Sequence, residues 1–491
     1  MARTGLQQTT RRTAGRFSFF ALVGALVMAP LDFGSTRTLP FHLLVVLVAA
    51  AGCAWSVSEV IGPGAPALPG AVVLGAGLVA AAVLAWELWL PYPVPPDFTL
   101  RHFHQIAARW PNSIVPTGKP WICAWCAAAV LALLALFRHA QDDAGRVAIA
   151  AAIVATGAAV AVLGLAENAT RARGIFWDKS VRMPGAFFGT FYHHTSAGAY
   201  LNSVWPLAAG LAVRGMGSAS RAWRRAGVAA AVAAFVILGA HAGHISRFPQ
   251  VIAVVAIAAS LLWVRPWRLG GRIAGSAPMW AAVALGGCMV AVSAGMLGSR
   301  VGDIRSRWSA LRLSEIEGAG PAAAAVPPQE WQARMRDDLF IPSEHGNFIL
   351  GDRGAAYQTA ARAISERPWF GWGPAGWMAA AAANTDDPFI RTFFQMMQFT
   401  HEDYLQTIVE WGLVGAAGWA LLVAGGLAHG LLALRSSPVL DPIGAGAAVA
   451  LAAVMAQSLI DFPLQIPAVQ LNAVALAALA WSARPAAVPS P

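Results

Sequence analysis

Residues 401–415, HEDYLQTIVEWGLVG, place His401, Glu402, Asp403 and Glu410 where a long polar segment gives way to an apolar run of membrane length. Ionisable groups at the mouth of a membrane helix are costly to keep, which makes them functional candidates by default. The imidazole of His401 titrates near neutrality and could take a proton from an attacking hydroxyl; the alternative is a histidine capping a helix. Arg247 stands in HAGHISRFPQ, a turn so short that its side chain stays near the membrane surface. There a guanidinium either reaches for lipid phosphate or presents a fixed fork to phosphate oxygens. Arg353 falls at the start of a predicted helix over 353–367, where unpaired N–H groups and the helix dipole favour an anion. An ion pair with Asp352 or Glu366 is the alternative there. Two arginines and a histidine on one face of a membrane would suit a diphosphate leaving group and a hydroxyl nucleophile.

The elements that must position these residues are membrane spans. The 491-residue chain is 57% hydrophobic and 12% charged, with a mean hydropathy of +0.57. Soluble domains carry roughly 25% charged residues, so the chain has half the charge that a water-facing surface needs. Its apolar residues gather in blocks long enough to cross a hydrocarbon core about 30 Å thick. The net charge of +10 is almost wholly arginine, the lysines being Lys119 and Lys179. The arginines are spread over loops and form no basic domain, which speaks for topology signals and against nucleic acid. Cys123 and Cys126 form a CxxC inside the apolar run WICAWCAAAVLALLALF, with no second pair and no neighbouring histidine, and read as packing residues.

The expected fold is an all-α polytopic membrane protein of about 12 transmembrane helices, with a large periplasmic helical segment between spans 9 and 10. The apolar runs fall at 17–30, 39–57, 69–90, 120–137, 147–166, 195–213, 226–243, 249–264, 278–297, 410–434, 443–460 and 466–482. The N-terminus has the charge pattern of a signal peptide but no small-x-small cleavage site, so an uncleaved first helix is expected. Arginines at 3, 11, 12, 16, 138, 146, 214, 221, 224, 225, 265, 268, 272, 435 and 484 fall in alternate loops, which puts both termini inside. This divides the chain into a cytoplasmic N-terminus (1–16), a membrane domain with spans 1–9 (17–297), a periplasmic loop domain (298–402), a membrane domain with spans 10–12 (403–482) and a cytoplasmic tail (483–491). His139 and His429 face inward, and the other histidines lie on or near the outer side. In the 353–367 helix, Asp352 is a candidate cap, Tyr357, Ala361 and Ile364 share a face, and Pro368 and Gly371 end the element.

With these residues in place, the chain resembles the O-antigen ligase and O-antigen polymerase superfamily over about residues 180–435. HEDYLQTIVEWGLVG is similar to the family's His-x-x-Tyr-Leu…Glu-x-Gly-Leu-x-Gly pattern, with His401, Tyr404, Leu405, Glu410, Gly412 and Gly415 matching. DRGAAYQTAARAISERPWFGWGP is similar to the preceding element, an Arg that opens a helix ending in Pro-x-x-Gly-x-Gly, through Arg353, Pro368, Gly371 and Gly373. ISRF resembles a Ser-Arg at a helix head, and GTFYHHTSAGAYLNSVWPLAAG resembles a Gly-x-Phe…Ala…Leu…Pro element. The chain departs from the pattern where Glu402 follows the histidine in place of a common Asn, and where YHHTSAG replaces an Asn-Pro-Asn-like turn. It departs again at Phe187, where an Arg often stands and for which Arg182 is a candidate substitute.

The resemblance implies a GT-C-like fold in the bacterial inner membrane with its active face periplasmic. It also implies transfer of a glycan from an undecaprenyl diphosphate carrier to an acceptor hydroxyl. Arg247 and Arg353 would then bind the diphosphate, and His401 would act as general base or help to hold the diphosphate. Glu402 or Glu410 would orient the imidazole, with Tyr404 and Arg182 in supporting places. The expected partners are a polyprenyl-diphosphate-linked glycan donor, a lipid or glycan acceptor and membrane lipids, with no nucleic acid, cofactor or metal. The acceptor stays open among lipid A-core (a ligase), a second lipid-linked glycan (a polymerase) and a protein Ser or Thr (an oligosaccharyltransferase). A secondary transporter or flippase is the remoter alternative, disfavoured by the lack of a repeat of two halves.

Overall fold

Alanine-rich and nearly charge-free, the apolar runs can satisfy their backbone in a membrane only by forming helices, and helices are what they form. The computed structural model describes residues 2–61, 67–89, 119–178, 187–243, 246–264, 351–384, 399–436 and 441–483. The helices are α1 (Ala2–Leu31), α2 (Thr38–Ile61), α3 (Gly70–Trp89), α4 (Lys119–His139), α5 (Asp143–Ala169), α6 (His194–Asn202) and α7 (Trp205–Met216). They continue as α8 (Arg221–Gly243), α9 (Arg247–Val264), α10 (Gly351–Glu366), α11 (Trp377–Ala383), α12 (Asp403–Ser436), α13 (Pro442–Gln457) and α14 (Pro467–Trp481). Among the described residues, six helices are long and apolar enough to cross a membrane, in α1, α2, α4, α5, α8 and α12, and shorter apolar helices lie in α3, α9, α13 and α14. The expected span at 278–297 lies outside the described residues, as does the 298–350 part of the expected loop.

Helix α14 forms the centre. Every one of its residues except Gln470 is buried, and it packs against α12, α13, α4, α1 and α6. Around it, α1 pairs with α2, α3 with α12, and α7 with α8 and α13. The outer helices keep large apolar side chains exposed, among them Phe20, Leu43, Val46, Leu74, Val162 and Val254, which is the surface that lipid tails cover.

The expected span at 195–213 is two helices, α6 and α7, interrupted at Ser203 and Val204. Pro206 has no N–H to give back to the preceding turn, and side chains fill the gap. Asn202 Nδ2 donates to the Pro249 carbonyl at 2.9 Å, and Trp205 Nε1 donates to Asn202 Oδ1 at 3.3 Å. Asn472 of α14 donates to the Ser203 hydroxyl.

Helix ends gather at two poles. At one, Arg146 of α5 bonds Asp441, the cap of α13, while Arg214 bonds Asp143 and Arg138 lies 3.6 Å from Glu59. Three of the arginines expected on one side thus meet there, each with a carboxylate. His139 and His429 are near the same pole, His139 against Phe19 and His429 against Trp481. The opposite pole collects residues 32–37, 170–178, 187–193, 399–402 and 458–466, and it holds His401.

Candidate functional site

His401 is placed by two interlocking stretches. Helix α12 begins at Asp403, earlier than the expected 410, and is broken at Gly412, whose φ of 60° and ψ of −174° are not helical. In an unbroken helix the N–H groups of Leu413 and Val414 would reach the carbonyls of Val409 and Glu410. Instead Leu413 N donates to Pro368 O at 2.7 Å, and Val414 N donates to Trp369 O at 3.0 Å. The released Val409 carbonyl accepts from Trp372 N at 2.8 Å, and the Glu410 carbonyl accepts from Gly373 N at 2.7 Å. The loop PWFGWG, which follows α10, therefore threads the break and exchanges partners with it one for one. Only glycine fits the crossing: a Cβ on Gly371 would sit 2.5 Å from Gly412 N, and one on Gly412 would sit 2.3 Å from the Trp369 carbonyl carbon.

The Glu410 carboxylate secures the same joint. It accepts from Gln406 Nε2 at 2.9 Å and from the backbone N–H groups of Ala375 and Trp377. These bonds brace the 373–377 loop. Glu402 has a similar fate. Its two carboxylate oxygens accept from Tyr404 N and Leu405 N, so it caps α12. Burial pushes its carboxyl upward, and the Leu405 and Tyr404 N–H groups pull it back down. An Asn at that position would also offer a capping oxygen, which explains why Glu402 can depart from the pattern of the resembling family. Tyr404 donates its hydroxyl to Met455 O at 2.7 Å, tying α12 to α13.

Asp403, expected only as an ionisable residue at the membrane mouth, is the main clamp. Its carboxylate accepts from Ser458 Oγ (3.0 Å), Leu464 N (2.8 Å) and Gln465 Nε2 (2.9 Å). Asp403→Ala leaves the buried Ser458 donor and the half-buried Leu464 and Gln465 donors without this partner and is expected to destabilise the protein by about 2–4 kcal/mol. Glu402→Ala, losing a cap, is expected to cost about 1 kcal/mol. The order of their thermal midpoints in nanodiscs checks this, and equal midpoints would contradict the clamp.

Between these anchors, Thr400 Oγ1 donates to Glu402 O at 2.6 Å and accepts from Glu402 N at 3.2 Å. The tight turn holds His401 at its apex with φ 58°, and the Tyr357 hydroxyl of α10 reaches its carbonyl at 3.5 Å. The imidazole meets the Phe462 ring edge-on at 4.8 Å. Phe462 also stacks with Phe399 at 4.6 Å and lies 6.1 Å from His193, which stacks on His194 at 4.9 Å. Phe462 is thus the hub of a patch carrying three imidazoles. Sequence reasoning missed it, and read the histidine pair only as a departure from a pattern.

Arg247 is the first residue of α9 and Arg353 the third of α10; their side chains, and all of Arg182, lie outside the described residues. Asp352 lies within α10 and does not cap it. The buried face of α10 is Ala356, Ala360 and Ala363 with Ile364 beside them, and Ala361 is exposed. The face is turned from the expected Tyr357–Ala361–Ile364 because the smaller alanines allow close approach to α11. The helix does end before Pro368, with Gly371 at φ 67°.

Beside α12 lies a cavity of about 510 Å³, walled by Trp125, Trp411, Trp419, Val423 and alanines, with Asp403, Tyr404, Glu410, Gln465 and Gln470 as its polar lining. The turn 462–465 borders both places: Leu464 and Gln465 line the cavity, and Phe462 carries the His401 contact.

These features define an all-helical, multi-pass membrane protein with a polar, histidine-bearing patch at one pole. Residues 232–420 match the family model for O-antigen ligase, a match that supports the O-antigen ligase superfamily. The matched segment holds Arg247, Arg353, the threaded PWFGWG loop and the broken start of α12, and it indicates a function of ligase or polymerase type. It begins after the GTFYHH element, so the wider resemblance from about residue 180 is not covered by it. No curated protein matches the chain.

Proposed function

We propose that this protein transfers a glycan from a polyprenyl (undecaprenyl) diphosphate carrier to an acceptor hydroxyl at the periplasmic face of the bacterial inner membrane, in surface polysaccharide biosynthesis. The observation that carries this is the O-antigen ligase match over 232–420, which spans the interlocked stretches that hold His401. The acceptor oxygen attacks the anomeric carbon, the bond from that carbon to the diphosphate oxygen breaks, and the polyprenyl diphosphate departs. His401 takes the acceptor's proton or helps to hold the diphosphate. Arg247 and Arg353, each near the N-terminus of its helix, bind the diphosphate and stabilise the charge that develops on it, the task a divalent cation performs elsewhere. The apolar cavity beside α12 supports a lipid-linked substrate. A lipid A-core acceptor makes the protein a ligase; a second lipid-linked glycan makes it a polymerase, and a protein Ser or Thr an oligosaccharyltransferase.

Glycan analysis of a deletion strain tests this. Polymer accumulating on its lipid carrier is expected for a lost ligase, and single repeats on lipid A-core for a lost polymerase. Loss of glycan from a periplasmic or surface protein, with lipopolysaccharide intact, would mark the oligosaccharyltransferase. Unaltered glycans throughout would contradict the proposal.

A further inference from the structure

We infer that Arg37 is a binding site for a phosphoryl group at the His401 pole. Arg37 lies between α1 and α2 and is exposed. Its guanidinium carbon stands 3.7 Å over the centre of the Phe33 ring, and its Nε donates to the Tyr192 hydroxyl at 2.6 Å. Tyr192 in turn stacks on Phe33 with ring centroids 5.2 Å apart. One face and one edge of the guanidinium are therefore fixed, and the two terminal nitrogens form the remaining edge. That edge is the one a phosphate accepts end-on through two parallel hydrogen bonds. Tyr192 uses an oxygen lone pair to accept from Arg37, so its own proton remains to donate to the same anion.

The contrast with the opposite pole is informative. Arg138, Arg146 and Arg214 each face a carboxylate there, whereas among the described residues Arg37 forms no ion pair, the Asp32 carboxylate acting on it only through space. An aromatic cradle holds a cation in place without neutralising it, which suits a site whose counter-ion is a ligand. Tyr192 is followed directly by His193, whose ring lies 6.1 Å from that of Phe462. A phosphoryl group on Arg37 would thus lie at the same pole as the proposed base, its Tyr192 partner one residue along the chain from the His193 that meets Phe462.

The phosphoryl group could come from the donor's diphosphate or from a phospholipid head, and only the first source rests on the proposed transfer reaction. The test uses the full chain in nanodiscs, with farnesyl diphosphate as one probe and retained phosphatidylglycerol, read by native mass spectrometry, as the other. Arg37→Gln is expected to weaken farnesyl diphosphate binding by about tenfold, with Arg37→Lys restoring only part because it lacks the planar fork. Tyr192→Phe keeps the stack, removes the hydroxyl and should weaken binding in the same direction by about threefold; it serves should Arg37→Gln fail to fold. Unchanged diphosphate affinity with phosphatidylglycerol lost from the Arg37 and Tyr192 variants assigns the site to the lipid head. If the wild type binds no farnesyl diphosphate, the transfer reaction is in trouble and the phosphatidylglycerol arm alone decides Arg37. Both probes unaffected in both variants overturns the inference.

Discussion

Gly412→Val is expected to destroy the folded state around His401. At φ 60° and ψ −174° a residue with a side chain is strained by about 1–3 kcal/mol. Its Cβ would also meet the Trp369 carbonyl carbon at 2.3 Å and Phe370 N at 2.4 Å, backbone atoms that have nowhere to go. The strain is relieved only if α12 straightens and expels the PWFGWG loop. Straightening pairs Leu413 N and Val414 N with the Val409 and Glu410 carbonyls, but it strips Pro368 O, Trp369 O, Trp372 N and Gly373 N of their partners and leaves the Glu410 carboxylate facing absent N–H groups. With buried polar groups costing about 1–3 kcal/mol each when unpaired, the loss is a large share of the margin of a typical protein, about 5–15 kcal/mol. The yield of monodisperse protein and its thermal midpoint check the outcome. Gly77→Ala is the control: nothing lies within 4 Å of its added Cβ, and the variant should match the wild type. A Gly412→Val protein as stable as the wild type would mean that the broken helix is not what holds the site.

This interlock also shows where the sequence stops being informative. Membrane helices were legible because about 20 consecutive apolar residues admit few other structures. The start of α12 was not, since HEDYLQTIVE is polar enough to read as loop. Its polar groups are satisfied by residues distant in the chain: Asp403 by Ser458, Leu464 and Gln465, and Tyr404 by Met455. The break in the span at 195–213 was not read, because whether a proline such as Pro206 kinks a helix or splits it depends on neighbours such as Asn202 and Asn472. For the site, His401 stood out as an ionisable residue at a membrane mouth. Glu402 and Glu410 stood out equally, yet they serve backbone N–H groups; a carboxylate that braces a loop and one that orients a base look alike in one dimension. Phe462 carried no signal, because its role comes only from the three-dimensional meeting of four rings.

The second large effect is expected at His401. If its imidazole removes the acceptor's proton, losing it should slow transfer by about 10²–10⁴-fold, the usual scale for general base catalysis. Alanine is a poor probe here. The residue sits at φ 58°, where a side chain is strained unless it is one of those enriched in left-handed backbone, such as Asn. His401→Asn therefore keeps the turn between Thr400 and Glu402 while removing the base, and the thermal midpoint should stay at the wild-type value. Loss of rate without loss of stability separates chemistry from packing, which the Phe462 contact would otherwise confuse.

The decisive measurement is the rate at which purified protein in nanodiscs moves glycan from a defined polyprenyl diphosphate carrier to an acceptor, in the wild type and in His401→Asn. The predicted result is release of polyprenyl diphosphate matched by glycan gained on the acceptor, with the variant slower by about 10²-fold or more. Glycan that never leaves the carrier in the wild type, or equal rates in the two proteins, would contradict a transfer reaction run by His401.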